Sequence, residues 1–246
     1  MTRAPLVSGL TLWLAFCAAG AQDQPTMHAP DGGARMFIQS IDILPQQNAP
    51  FSAIVTAEVT RILVDGSTQT NWNRRTVARD SAGRIFQERR LLQPNGDKVM
   101  TPVTQLEYYD PLRHEFFACR PEAKICYQHP YSAPETMRLM PAGPLPDGRG
   151  SVKREELGRK LIEAVDVIGS REITTINAGV FGNEKSEPIV KEFWYSPRLG
   201  INIITKRFDP RNGTQNFVLS NINMNEPDPK IFEVPEGYRV VKMNGQ

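Results

Sequence analysis

The densest group of reactive side chains lies in one stretch, FFACRPEAKICYQHP, where Cys119 and Cys126 flank Arg120-Pro121-Glu122-Ala123-Lys124. Two β-rich flanks around a short polar turn bring the thiols together as a hairpin. Outside the cytosol such a pair forms a disulfide, a bond that contributes about 2 to 3 kcal/mol for a loop this short. The gap is not the two-residue spacing of thiol oxidoreductases. The competing chemistry adds His114 and His129 to the two cysteines as four ligands of a tetrahedral zinc. The spacings match no familiar finger, and an oxidising compartment favours the disulfide.

Other reactive residues do not assemble. Glu107, Glu115 and Glu192 occur singly among strand-like residues and read as solvent-facing carboxylates. No Ser, His and Asp trio, acid/base pair or phosphate loop stands out, so the chain is expected not to be an enzyme and to need no cofactor or metal. The arginines at 74, 75, 79, 84, 89 and 90 form a basic band, read as solvated edges and cross-strand ion pairs rather than an anion site. The formal net charge is +2, which offers no field for nucleic acid.

The elements that carry these residues are strands. Ala53, Val55, Ala57, Val59 and Leu63 alternate with Thr56, Glu58 and Thr60, the period of a half-buried strand. Asp65-Gly66 turns the chain into Thr68–Asp80, Ser81-Ala82-Gly83 precedes Arg84–Leu92, and Asn95-Gly96-Asp97 precedes Lys98–Tyr109. Glu155–Ile176 reads as a long hairpin bent at Gly169, with Leu157–Val167 the one stretch that also fits a longer helix. Lys191–Tyr195, Ile201–Phe208 and Thr214–Ile222 complete the meander. Only Pro134–Met140 and one turn at Pro229–Phe232 read as helical. The expected fold is mainly β: a single curved antiparallel sheet, an incomplete or half barrel in meander order with little helix.

Met-Thr-Arg, the apolar run Leu6–Ala19 and Ala19-Gly20-Ala21 fit a secretory signal over residues 1–21, too short for a lasting span, so the mature chain is expected to have no transmembrane segment. Cys17 follows Phe16, a residue too large for a lipidation box, and reads as part of the discarded signal. Residues 22–50 read as a flexible N-terminal arm with one apolar island at Met36-Phe37-Ile38. Residues 51–246 form the β domain, with a loop at 141–151 written PAGPLPDGRG at its core. The expected location is exported, periplasmic or outer-membrane associated.

The C-terminal third resembles exported bacterial proteins of the outer-membrane lipoprotein carrier (LolA-like) family. The residues that carry the likeness are Trp194-Tyr195 with Pro197 and Gly200, the Asp209–Gly213 turn, and the ending Pro227-Asp228-Pro229, Phe232, Pro235, Tyr238. The resemblance implies a curved, incomplete barrel whose concave face binds acyl chains; no residue of that family matches one for one. Inward-facing Val55, Val59, Leu63, Leu157, Leu161, Val165 and Trp194 are the candidates for contact with an apolar or lipid ligand. The alternative is an envelope scaffold with a filled core, pairing with a protein partner through its edge strands.

Overall fold

The computed structural model describes residues 41–95, 98–132, 142–145 and 148–243. The signal segment, Cys17, the island at 36–38 and the helix expected over Pro134–Met140 lie outside these residues. The chain first lays down β1 (Phe51–Ile62), β2 (Thr68–Arg79), β3 (Ile85–Arg90), the small hairpin β4 (Gln93–Asn95) and β5 (Lys98–Met100), then β6 (Val103–Asp110), β7 (Glu115–Arg120) and β8 (Ile125–Pro130). It continues through β9 (Gly143–Pro144), β10 (Gly150–Ile162), β11 (Val165–Ile176), β12 (Glu187–Ser196), β13 (Ile201–Asp209), β14 (Gly213–Asn223), a single 3-10 turn at Pro229–Phe232 and β15 (Arg239–Lys242).

Thirteen strands make one curved sheet that does not close, in the order β15-β8-β7-β6-β3-β2-β1-β14-β13-β12-β11-β10-β9. The expected single meander is therefore two, each a run of hairpins, joined where β1 pairs with β14. What closes this seam is matched alternation: Ala53, Val55 and Val59 are buried on β1, and Gln215, Phe217 and Leu219 are buried on β14. The outer strand β15 pairs with β8 in parallel, a departure from an all-antiparallel sheet.

The long hairpin β10–β11 turns at Glu163-Ala164, both with positive φ (45° and 61°), not at Gly169. Gly169 instead lies flat beneath Trp194, whose ring carbon would sit 2.6 Å from an added Cβ. Leu157–Val167 is two strands and a turn, so the helical alternative is overturned. Asp228 caps the 3-10 turn as expected, accepting a hydrogen bond from the Lys230 N–H at 3.0 Å, and Phe232 is buried.

The main core gathers Phe51, Val55, Val77, Val165, Val167, Trp194, Ile203 and Phe217 among others. Packing extends back before Phe51, since Ile41 and Ala49 are themselves buried. Two arginines of β2 hold that entering segment, which corrects their reading as solvated edge residues. Arg79, fully buried, donates to the carbonyls of Leu44 (2.7 Å), Ala49 (2.9 and 3.0 Å) and Leu199. Arg75 donates to the Ile41 carbonyl at 2.8 Å. Burial lowers both guanidinium pKa values to about 10, with the Arg89 charge adding to the effect on Arg75. A second cluster packs Tyr108, Cys119 and Cys126 under Phe86, Leu106, Phe117, Val234 and Tyr238.

Candidate functional site

Cys119 and Cys126 stand directly opposite each other on β7 and β8 and are bonded as a disulfide, fully buried. Their thiols are thus committed to each other, and His129 stacks on Phe116 at 5.7 Å between ring centroids. Among the described residues no group of three or more His, Cys, Asp or Glu is placed to hold a metal ion.

The proposed ligand contacts divide into three groups. Val55, Val165 and Trp194 belong to the packed core, with Leu157 partly buried against it. Val59 is buried and lines a cleft of about 220 Å³ with Ala57, Asn71, Asn73, Leu91 and Leu92. Leu63 and Leu161 are 43% and 67% exposed, so their expected inward orientation is corrected. Leu63 lies past the end of β1. Leu161 is displaced by the bulge between Glu156 and Gly158, which shifts the alternation so that Lys160, not Leu161, lies over the Trp194 ring at 3.5 Å.

An open cleft with a volume of about 470 Å³ lies on β11–β14. Its geometry follows from cross-strand register, because directly opposed residues share a sheet face. One transverse row runs Glu155, Arg171, Glu192, Lys206, Asn216, Glu58, Trp72 across seven strands from β10 to β2. Arg171 bridges Glu155 (3.4 Å) and Glu192 (3.1 Å), and Lys206 stands 3.8 Å from Glu192. Asn216 and the Trp72 indole each donate to Glu58 at 3.0 Å. The neighbouring row is apolar: Ile173, Val190 and Phe208, ending at Thr214. An apolar floor therefore runs beside a wall of ion pairs.

Desolvation raises the Glu192 pKa but is outweighed by hydrogen bonds from Trp194 and Arg171 and by the Lys206 and Arg171 charges, leaving it below the usual carboxylate range. It stays ionised, the wrong state for a general acid at neutral pH. Through this carboxylate Trp194 reaches the cleft, its indole N–H donating to Glu192 at 2.9 Å while its ring closes the core.

Glu107, read as solvent-facing, is buried and accepts from Gln87 (2.6 Å), Gln105 (2.7 Å), the Tyr109 hydroxyl (2.8 Å) and Arg89 (3.0 Å). Burial, followed by the Glu107 charge, pushes the Tyr109 phenol up. The signal was present in the alternation: Gln105, Glu107 and Tyr109 share one face of β6, and Gln87 and Arg89 occupy the matching face of β3. With every partner in place, the network braces the sheet.

The architecture defined by these elements is an open, curved sheet, and solved structures with a similar course share 8 to 13% sequence identity with this chain. They include an uncharacterised conserved protein from Thermus thermophilus (9% identity, TM-score 0.41, 79% of this chain and 91% of that one). They also include MucB (11%, 0.38, 80% and 61%) and a LolA superfamily protein from Nitrosomonas europaea (9%, 0.31, 77% and 92%). MucB has also been solved in complex with MucA from Pseudomonas aeruginosa; this chain spans 59% of the matched chain in that complex. No family model and no curated protein matches the sequence.

Proposed function

We propose that this is a non-catalytic, exported envelope protein that binds an amphiphile bearing an apolar chain, carrier-like, in the cleft over β11–β14. The observation that carries the reading is the adjacency of the Ile173-Val190-Phe208 row to the Arg171-Glu192-Lys206 row. An acyl chain laid along the first row leaves water while its headgroup stays within reach of the second. Each methylene removed from water contributes about 0.8 kcal/mol, so a chain burying about ten carbons supplies about 8 kcal/mol gross, the level of micromolar binding. A volume of about 470 Å³ lies in the range of small-molecule sites.

The test uses purified full chain and a fluorescent fatty-acid probe. Micromolar binding that weakens about tenfold or more in Phe208→Asp supports the cleft; the side chain is 41% exposed, so the variant is expected to fold. Binding that is absent, or equal in Phe208→Asp and wild type, removes the reading. A scaffold role is favoured by a different observation, the closed packing of Val55, Val165 and Trp194. It predicts a crosslinked envelope protein and no co-purifying lipid.

A further inference from the structure

The row that walls the cleft does not end at Lys206. It continues through Asn216 on β14, Glu58 on β1 and Trp72 on β2, each directly opposite the next, so all three side chains leave the sheet on one face. The row beside it on that face is Thr214, Thr60 and Thr70, in the same strand order. Trp72 is 57% exposed, yet its ring is fixed: the indole N–H reaches across to β1 and donates to Glu58 at 3.0 Å. One edge of the ring is tied down while much of its surface stays in water.

Glu58 is oriented by neutral groups. The indole donates to its Oε2 and the Asn216 amide to its Oε1, both at 3.0 Å. Arg74, the next residue of β2 on this face, is exposed, and among the described residues no cation pairs with Glu58. A carboxylate offers about four acceptor positions, so about two stay open beside the ring. Thr60 and Thr70 share a hydrogen bond at 2.8 Å between their hydroxyls, and each hydroxyl keeps further bonding capacity. The exposed indole is therefore rimmed by a carboxylate, an amide and hydroxyls.

That rim selects among occupants. An acyl chain would strip water from these polar groups and return no hydrogen bond to them, at a net cost. An aromatic anchor in a protein interface sits in a desolvated centre depleted of charge, whereas the nearest partner of Trp72 is an ionisable carboxylate. A pyranose matches both features at once. Its axial C–H bonds form an apolar face that stacks on an indole, and its equatorial hydroxyls radiate in the ring plane, where they donate to a carboxylate and accept from an amide.

We propose that the β14–β1–β2 face around Trp72 binds a saccharide, with a pyranose bearing equatorial hydroxyls stacked on the indole and hydrogen-bonded to Glu58 and Asn216. The site shares Asn216 and Thr214 with the edge of the cleft, and sugar binding does not require the cleft to hold an amphiphile. Titration of the full chain with cellotriose and with chitotriose, read by saturation transfer to the sugar protons, tests it. Wild type is expected to bind one or both with a Kd on the order of 1 mM, as suits an open platform. Trp72→Ala weakens binding about tenfold or more, whereas Trp72→Phe stays within about threefold of wild type because it keeps a stacking ring. Glu58→Ala costs about tenfold through the lost charge-assisted bonds.

An unchanged urea midpoint identifies a folded variant, and rescue by Trp72→Phe separates stacking from a merely structural role. Fatty-acid probe binding that persists in Trp72→Ala shows that the cleft is intact, so the two sites fail independently. Binding of neither sugar by wild type at about 10 mM overturns the proposal. So does equal binding by wild type and Trp72→Ala, or a Trp72-dependent protein partner with neither sugar bound.

Discussion

The two ends of the sheet treat the same residue types in opposite ways. At one end Phe51, Leu199 and Ile201 are almost wholly buried, and the guanidinium of Arg79 is sunk among carbonyls. At the other, Ile62, Leu63 and Val64 stand in water while Arg61 is exposed beside them. The difference comes from what the chain supplies as a cover. Segment 41–50 and the 197–200 turn lie over the first end. Gly200 in that turn takes a left-handed φ of 64°, and a Cβ there would displace the end of the Gln46 side chain. Among the described residues no helix is long and apolar enough to cross a membrane.

The sharpest way to break this contrast is to remove the cation that ties the covered end together. Arg79→Met leaves the carbonyls of Leu44, Ala49 and Leu199 without their shared donor in a dry environment. It is expected to cost about 3 kcal/mol, read as a lower urea midpoint at unchanged slope. A variant as stable as wild type would show that the cover is held by apolar packing alone. A somewhat smaller effect is expected at Gly169, where an added methyl meets the Trp194 ring at 2.6 Å and the Leu157 Cβ at 2.8 Å. Gly169→Ala should cost about 2 kcal/mol through overpacking, and Trp194→Leu in the same chain should recover part of it.

How much of this was legible follows from what alternation can and cannot encode. Period two in Phe51–Ile62 and Gly213–Asn223 identified strands and their buried faces, and Asp65-Gly66 and Asp228-Pro229 identified a turn and a cap, because those signals are local. Pairing of β1 with β14 was not legible, since alternation fixes a strand's face without naming its neighbour. Leu161 was misplaced for a related reason: a single bulge at Gly158 reverses the phase of everything after it. Arg79 and Glu107 were misjudged because charged residues default to the surface, and only the tertiary fold shows the carbonyls and amides that satisfy them. The cleft leaves a partial mark in the sequence, since one strand is apolar on both faces, with Val190 and Trp194 set against Phe193 and Tyr195. Its ionic wall required register across seven strands.

At the open end, the turn between β13 and β14 is held by a group of polar contacts. Asp209 is buried there, accepting from the Arg211 side chain (3.0 Å), its backbone N–H (3.1 Å) and Asn212 (3.0 Å). Desolvation pushes its pKa up, but those donors outweigh it and hold the folded value below 3.8. A carboxylate depressed on folding stabilises above its unfolded pKa, and that contribution is lost as pH falls through the folded value. Asp209→Asn is therefore expected to cost about 1 to 2 kcal/mol at neutral pH and to flatten the acid limb of stability below about pH 4. An unchanged acid limb would assign the acid sensitivity to other carboxylates.

The smallest expected effect makes the contrast most specific. Val64 projects fully from a turn whose hydrogen bonds are all backbone or Asp65–Ser67, so its side chain supports nothing in the fold. Val64→Asp should change folding stability by less than about 0.5 kcal/mol, whereas the similarly aliphatic but buried Val55→Asp should unfold the domain, because it places an unpaired carboxylate in the main core. Denaturant curves on the two variants read this directly. If Val64→Asp instead costs as much as a core substitution, the tip is covered in solution, the two ends are alike, and an exposed apolar apex no longer distinguishes them.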